Sequence, residues 1–162
     1  MKIGIISDSH DHSENIIKAV NAFKEKKVDH VIHLGDYVNP ASIKLFKDVK
    51  LIGIFGNNDG DKFRLINSFN EIGGEIKGDF HEFEADGLKC ACYHGTEHQL
   101  RKSLVDSGTY DVVMFGHTHA CVNEKAGNTL VLNPGTSHGF WKKATVMIFD
   151  TVTREAEIIE LK

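Results

Sequence analysis

The chain has 162 residues, 41% of them hydrophobic, with a formal net charge of −4, two prolines and three cysteines. Such a length and apolar share suit one domain with a sizeable core, expected to span residues 1–162 without a linker, repeat or low-complexity tract. Mild acidity without a Lys/Arg cluster argues against a nucleic-acid surface, and an odd cysteine count without framework spacing argues against a disulfide-built fold.

Ile3-Gly4-Ile5-Ile6 reads as a short buried strand. The apolar run is too short for a signal peptide or a membrane span, so no membrane association and a reducing cytoplasm are the expected setting. Ser13 opens a helix with Ile16, Ile17, Val20 and Phe23 at helical spacing, and Lys24-Glu25-Lys26-Lys27 suits its solvated C-terminal end. Val28 to Leu34 returns to strand character and is closed by Gly35-Asp36; Ser42 to Phe46 reads as a short helix. Leu51 to Phe55 is another buried strand, closed by Gly56, and Asp61 to Phe69 a helix opened by acidic residues. Strand and helix thus alternate three times, which predicts a parallel sheet with right-handed crossovers.

The second half is richer in hairpins. Phe80 to Ala85 and Leu88 to Tyr93 flank Asp86-Gly87, a hairpin signal. Cys90 and Cys92 lie two apart in this run and share a face, as a buried apolar pair would. A helix is expected near Glu97 to Val105, then a buried strand at Val112 to Phe115. Cys121 to Lys125 and Thr129 to Leu132 surround the turn Gly127-Asn128, and Thr145 to Asp150 with Glu155 to Glu160 form a last pair. The fold class is α/β: two packed sheets with helices on the outside.

Five segments deliver metal-ligand residue types where predicted strands end: Asp8-Ser9-His10, Gly35-Asp36, Gly56-Asn57-Asn58-Asp59, His94-Gly95 and Gly116-His117-Thr118-His119. In an open α/β sheet, ligands bind beyond the carboxyl ends of the strands. Carboxylate, amide oxygen and imidazole together suit Mn, Fe, Co, Ni or Zn, and Asp36 is the expected bridge between two ions. Two cations about 3.5–4 Å apart bind phosphate oxygens and lower the pKa of a shared water, whose hydroxide attacks phosphorus in line. Singly, a His-x-His or Asp-x-His is as a rule a satisfied or exposed histidine, and Asn58-Asp59-Gly60 is a turn. The ordered combination is what points to a metal site. His30, His33, His81, His98 and His138 show no ligand pattern and read as structural or surface residues.

These blocks, with Ser7 before the first, Leu34 before the second, Tyr93 before the fourth, and Asn133-Pro134-Gly135-Thr136, resemble the calcineurin-like metallophosphoesterases. The subgroup they are most similar to is the small, capless prokaryotic phosphodiesterases, over nearly the whole chain. The resemblance implies a four-layer α/β/β/α sandwich of two mixed sheets flanked by helices. It implies a first metal held by Asp8, His10, Asp36 and His119, and a second held by Asp36, Asn57, His94 and His117.

One position departs from the family pattern. Many members carry a histidine where this chain has Asn58, and that histidine is credited with helping the leaving group or the transition state. An amide cannot give up a proton as imidazolium can, and general-acid help is worth about 10²–10⁴-fold. Asn58 could still donate to a phosphate oxygen; His12, near in sequence, could substitute or simply lie at the surface.

The expected function is therefore a two-metal phosphodiesterase, with Mn²⁺ or Ni²⁺ as the leading ions and a small phosphodiester substrate, since no insertion between the motifs builds a cap. The alternatives are a non-catalytic scaffold of the same fold, as in a retromer subunit, or a phosphomonoesterase or protein phosphatase. A nuclease ranks below these. The sequence leaves a homo-oligomer open.

Overall fold

The computed structural model describes all 162 residues. In chain order, β1 (Lys2–Ile6) leads through a loop to α1 (Ser13–Glu25), β2 (His30–His33), a 3₁₀ segment (Pro40–Phe46), β3 (Leu51–Gly53), α2 (Lys62–Glu71) and β4 (Glu75–Ile76). The second half runs β5 (Phe80–Ala85), β6 (Leu88–Tyr93), α3 (His98–Asp106), β7 (Val112–Met114), β8 (Cys121–Ala126), β9 (Thr129–Pro134), β10 (Thr145–Asp150) and β11 (Glu155–Glu160). One sheet has the order β11-β10-β1-β2-β3-β4, the other β5-β6-β7-β9-β8. β1 to β4 are parallel, as are β6, β7 and β9; hairpin partners complete both sheets antiparallel. Two mixed sheets flanked by helices are thus what the chain builds.

Strand alternation sets the layers. Ile3 and Ile5 of β1 point into the seam between the sheets, with Ile32, Met147 and Phe149 from their own sheet and Cys90, Cys92, Val112, Met114 and Leu132 from the other. Ile6 and Val31 point the opposite way, against Ile16, Val20 and Phe23 of α1, Ile43 and Phe46 of the 3₁₀ segment, and Leu65 and Phe69 of α2. Both faces of β1 and β2 are buried, which is why they read as continuous apolar runs rather than alternating ones.

Several boundaries differ from the sequence reading, each for a local reason. The expected helix at Ser42 to Phe46 is a 3₁₀ segment that starts at Pro40, where the Oδ1 of Asn39 accepts the amide of Ala41 at 2.9 Å. The strand expected from Leu51 to Phe55 leaves the sheet after Gly53, and the Phe55 amide turns to the carbonyl of Gly78. Asp61 caps α2 rather than entering it, accepting the Arg64 amide. β4 carried no signal, since its two residues are half solvent-facing. The last hairpin, β10–β11, returns to the first sheet beside β1. α3 is a thin outer layer: none of its residues is buried, and Arg101 lies over the ring of Phe115 at 4.7 Å.

Candidate metal centre

The loops leaving β1, β2, β3, β6 and β7 converge at one end of the two sheets and bring the seven expected ligands and Asn58 close together. Asp8 and Asp36 are fully buried carboxylates; His94 is buried, His10, His117 and His119 half-buried, and Asn57 and Asn58 exposed at the rim. The Nε2 of His119 stands 3.2 Å from Asp8 Oδ1, and the Nε2 of His10 lies 3.5 Å from Asp36 Oδ2 and 4.0 Å from Asp8 Oδ1. The Nε2 of His94 lies 3.4 Å from Asp36 Oδ2, and its ring stands 5.3 Å from that of His117.

Five of the seven expected ligands adopt left-handed backbone: Asp8 at φ 52°, His10 at 39°, Asp36 at 61°, His117 at 63° and His119 at 56°. Such a conformation costs about 1–2 kcal/mol per non-glycine residue. Strain concentrated in this way marks a site whose geometry is imposed by its surroundings. Two glycines let the loops close: a Cβ on Gly116 would stand 2.8 Å from Asp8 Oδ2 and collide with Ser7 Oγ, and one on Gly56 would collide with the carboxylate of Asp36.

The surrounding hydrogen bonds hold both the loops and the expected ligands. Asp59 accepts four backbone amides, those of Asp36 (2.8 Å), Tyr37 (2.8 Å), Val38 (3.0 Å) and Gly56 (2.7 Å), and ties the loop after β2 to the loop after β3. Burial pushes its pKa up, and these amides act against that. Asn58 makes two hydrogen bonds to Asp36: the backbone amide donates to Oδ1 at 2.9 Å and Nδ2 to Oδ2 at 2.7 Å. Its carboxamide is therefore engaged with the carboxylate. His12 accepts the Asn15 amide at the start of α1 and serves as that helix's cap. Asn133 donates to the Gly116 carbonyl and to Thr118 Oγ1, fixing the loop that carries His117 and His119.

The donor set fits a divalent cation. The Nδ1–H of His94 donates to the Leu34 carbonyl at 2.6 Å, so its Nε2 lone pair faces the site. That lone pair meets acceptors, Asn57 Oδ1 at 3.1 Å and Asp36 Oδ2 at 3.4 Å, an arrangement that needs a positive charge between them. The same carboxylates favour a proton here: burial lowers the pKa of His94, but Asp36 and Asp8 outweigh it and the pKa is raised. Burial likewise acts to raise Asp36, and His94 and Asn58 overcome it, holding the carboxyl well below the usual range. The Nε2 of His10 is buried without a hydrogen-bond partner.

His138, for which the sequence showed no ligand pattern, also stands here. It is 4% exposed, and its ring centroid lies 4.9 Å from those of both His10 and His119. Burial and these two imidazoles hold its pKa down to about 4. It arrives because the amides of Ser137 and His138 dock on the carbonyls of Ser7 and Asp8, and Asn15 of α1 donates to the carbonyls of Ser137 and His138. The one local clue was its place just after Asn133-Pro134-Gly135-Thr136.

Paired carboxylates among imidazoles at the strand ends of a two-sheet α/β fold define a metal-dependent phosphoesterase. The family model of the calcineurin-like phosphoesterase superfamily domain matches residues 1–154, and the chain belongs to that family. A phosphodiesterase of Methanocaldococcus jannaschii is 41% identical, over the full length of both chains. The solved structure of an archaeal phosphodiesterase, also 41% identical, superposes with a TM-score of 0.95 over 99% of this chain and 100% of that one. Vps29 of Entamoeba histolytica, crystallised as a zinc complex, shares the fold at a TM-score of 0.70 and 11% identity, with full coverage of both chains.

Proposed function

We propose that the protein is a two-metal phosphodiesterase. Asp8, His10, Asp36 and His119 would hold one cation, and Asp36, Asn57, His94 and His117 the other. The observation that carries this reading is the facing of acceptors described above: lone pairs of His94, Asn57 and Asp36 crowd one gap, and the buried Nε2 of His10 has no partner beside Asp8 and Asp36. When bound, such cations supply charge to hold the phosphate oxygens and acidify a water. The chain's own residues supply the frame. Asp59 and Asn133 fix the loops, Asn58 orients the Asp36 carboxylate, and the Leu34 carbonyl sets the tautomer of His94.

The name of the 41% identical relative supports diester over monoester substrates. So does position 58, where the carboxamide is engaged by Asp36 and has no proton to give a poor leaving group. Mn²⁺ and Ni²⁺ are the proposed ions, and a small phosphodiester the substrate. The test is calorimetric titration of chelator-stripped protein with each ion, followed by assays with bis-p-nitrophenyl phosphate and p-nitrophenyl phosphate. Two cations bound, and diester turnover lost in Asp36→Ala, are the expected results. Tight binding of two ions without turnover of either ester would leave a scaffold of this fold instead.

A further inference from the structure

His94 and His138 face the same site with opposite chemistry. In His94 the ring Nδ1 donates, which leaves Nε2 with a free lone pair, as a metal ligand needs. In His138 the ring Nδ1 accepts the backbone amide of Phe140 at 2.9 Å. A backbone N–H can only donate, so Nδ1 carries no proton and the neutral ring bears it on Nε2. That Nε2–H has no partner in the protein and keeps some contact with solvent, while the ring packs between His10 and His119. The ring is held in place by Phe140, whose ring lies tilted against it at 4.4 Å, and by the docking of the 137–138 backbone on Ser7 and Asp8. A ligand nitrogen of His138 lies within 4.8 Å of those of His10 and His119, close enough to share a small ligand bound between them.

We propose that His138 is a further substrate-binding residue of this site: a neutral Nε2–H donor that takes a phosphoryl oxygen of the ester, and not a ligand of the metals. The inference rests on the two-metal reading for the position of the phosphoryl group. Its chemistry comes from the Phe140 amide, which fixes the tautomer. Such a donor adds to the few the site offers, since one carboxamide N–H of Asn58 is taken by Asp36 and the backbone amide of His117 by Asp8. A neutral donor suits a phosphodiester, which carries one negative charge and leaves no excess for a third cation to balance.

Four readouts test this. Nitrogen-15 histidine spectra of the metal-free protein should show the His138 ring in the Nε2–H tautomer, and the tautomer should persist when metal is added. The opposite tautomer, or loss of the Nε2 proton on metal addition, would overturn the proposal. Calorimetric affinity for both cations should change by less than about threefold in His138→Ala. A loss as large as that in His119→Ala would make it a ligand and end the idea. Binding of inorganic phosphate to the metal-loaded protein should weaken roughly 10-fold or more in His138→Ala, with partial recovery in His138→Gln, which keeps an N–H donor. Diester kcat/KM should fall roughly 10- to 100-fold, the worth of one hydrogen bond to a charged group, with the same recovery. Unchanged phosphate affinity and unchanged kcat/KM would refute it. If the wild-type protein binds two metals and phosphate but hydrolyses nothing, the phosphodiesterase reading fails while the phosphate titration still judges His138.

Discussion

The Oδ2 of Asp59 accepts the backbone N–H of Asp36 at 2.8 Å, and the same carboxylate holds Gly56 from the neighbouring loop at 2.7 Å. One side chain thereby sets the distance between two loops that both carry expected ligands. Replacing Asp59 by Ala strands four amides in a buried environment. The expected cost is about 2–4 kcal/mol, the range for breaking a buried hydrogen-bond network. Urea unfolding of the metal-free protein measures it, and metal titration should show a parallel fall in affinity. A stability change below about 0.5 kcal/mol, the level of an ordinary surface substitution, would contradict the role.

Asn58 acts on Asp36 through two donors, of which only the side-chain one can be removed by mutation. Groups that orient a metal ligand typically contribute 10- to 100-fold in metal affinity or activity. Asn58→Ala should weaken metal binding by roughly that amount. Asn58→His restores an imidazole at the rim and should raise p-nitrophenyl phosphate turnover relative to the diester. A rate ratio no different from wild type would remove position 58 as the source of diester preference.

His33 provides a pH-dependent stability term. It is fully buried, accepts the Gly35 amide at Nδ1, and therefore presents Nε2–H to Ser9 Oγ at 2.9 Å. Burial holds its pKa down to about 3. In the unfolded chain an ordinary histidine takes a proton near pH 6.5. Below that pH the unfolded state binds more protons, so stability falls as pH drops from about 6.5 towards 3, by up to about 1.4 kcal/mol per pH unit. His33→Gln, compared with wild type in chelator at pH 7, 6, 5 and 4, should show a shallower decline. Parallel curves would mean that His33 is not neutral and buried.

Thiol chemistry should separate the three cysteines. Cys90 and Cys92 face the seam between the sheets with no exposure, and burial pushes the Cys90 thiol up to about 12 and Cys92 higher still. Cys121 is exposed. Ellman's reagent should label one thiol quickly in the folded protein and three after denaturation. Fast reaction of a second thiol in the native state would show that the seam opens.

The ligand loops were legible because each follows a strand whose apolar run ends abruptly at Asp, Asn or His. The sheets were legible for the same reason: Ile3 to Ile6, Val112 to Phe115 and the Asp86-Gly87 hairpin are local signals. What escaped was long-range. His138 follows β9 but reaches the site through hydrogen bonds of its segment to Ser7 and Asp8, contacts that no local pattern announces. Asp59 looks like a turn residue until the loop after β2 is laid against it. β4 is two residues long and has no apolar pattern, and α3 keeps its helical spacing without burying a residue.

The pairing of β1 with β10 has a consequence for synthesis. Ile5 lies opposite Met147, and Asp8 receives the amide of His138, so both the middle of the first sheet and the wall of the site need the far end of the chain. At about 5–20 residues per second, β1 waits roughly 7–30 s on the ribosome before its antiparallel neighbour exists. During that interval one edge of an apolar strand stands open, which is the condition under which nascent chains pair wrongly or recruit a chaperone. Chains stalled before residue 137 should lack the wall of the site, so the candidate metal centre closes only after residues from both halves of the fold have been made.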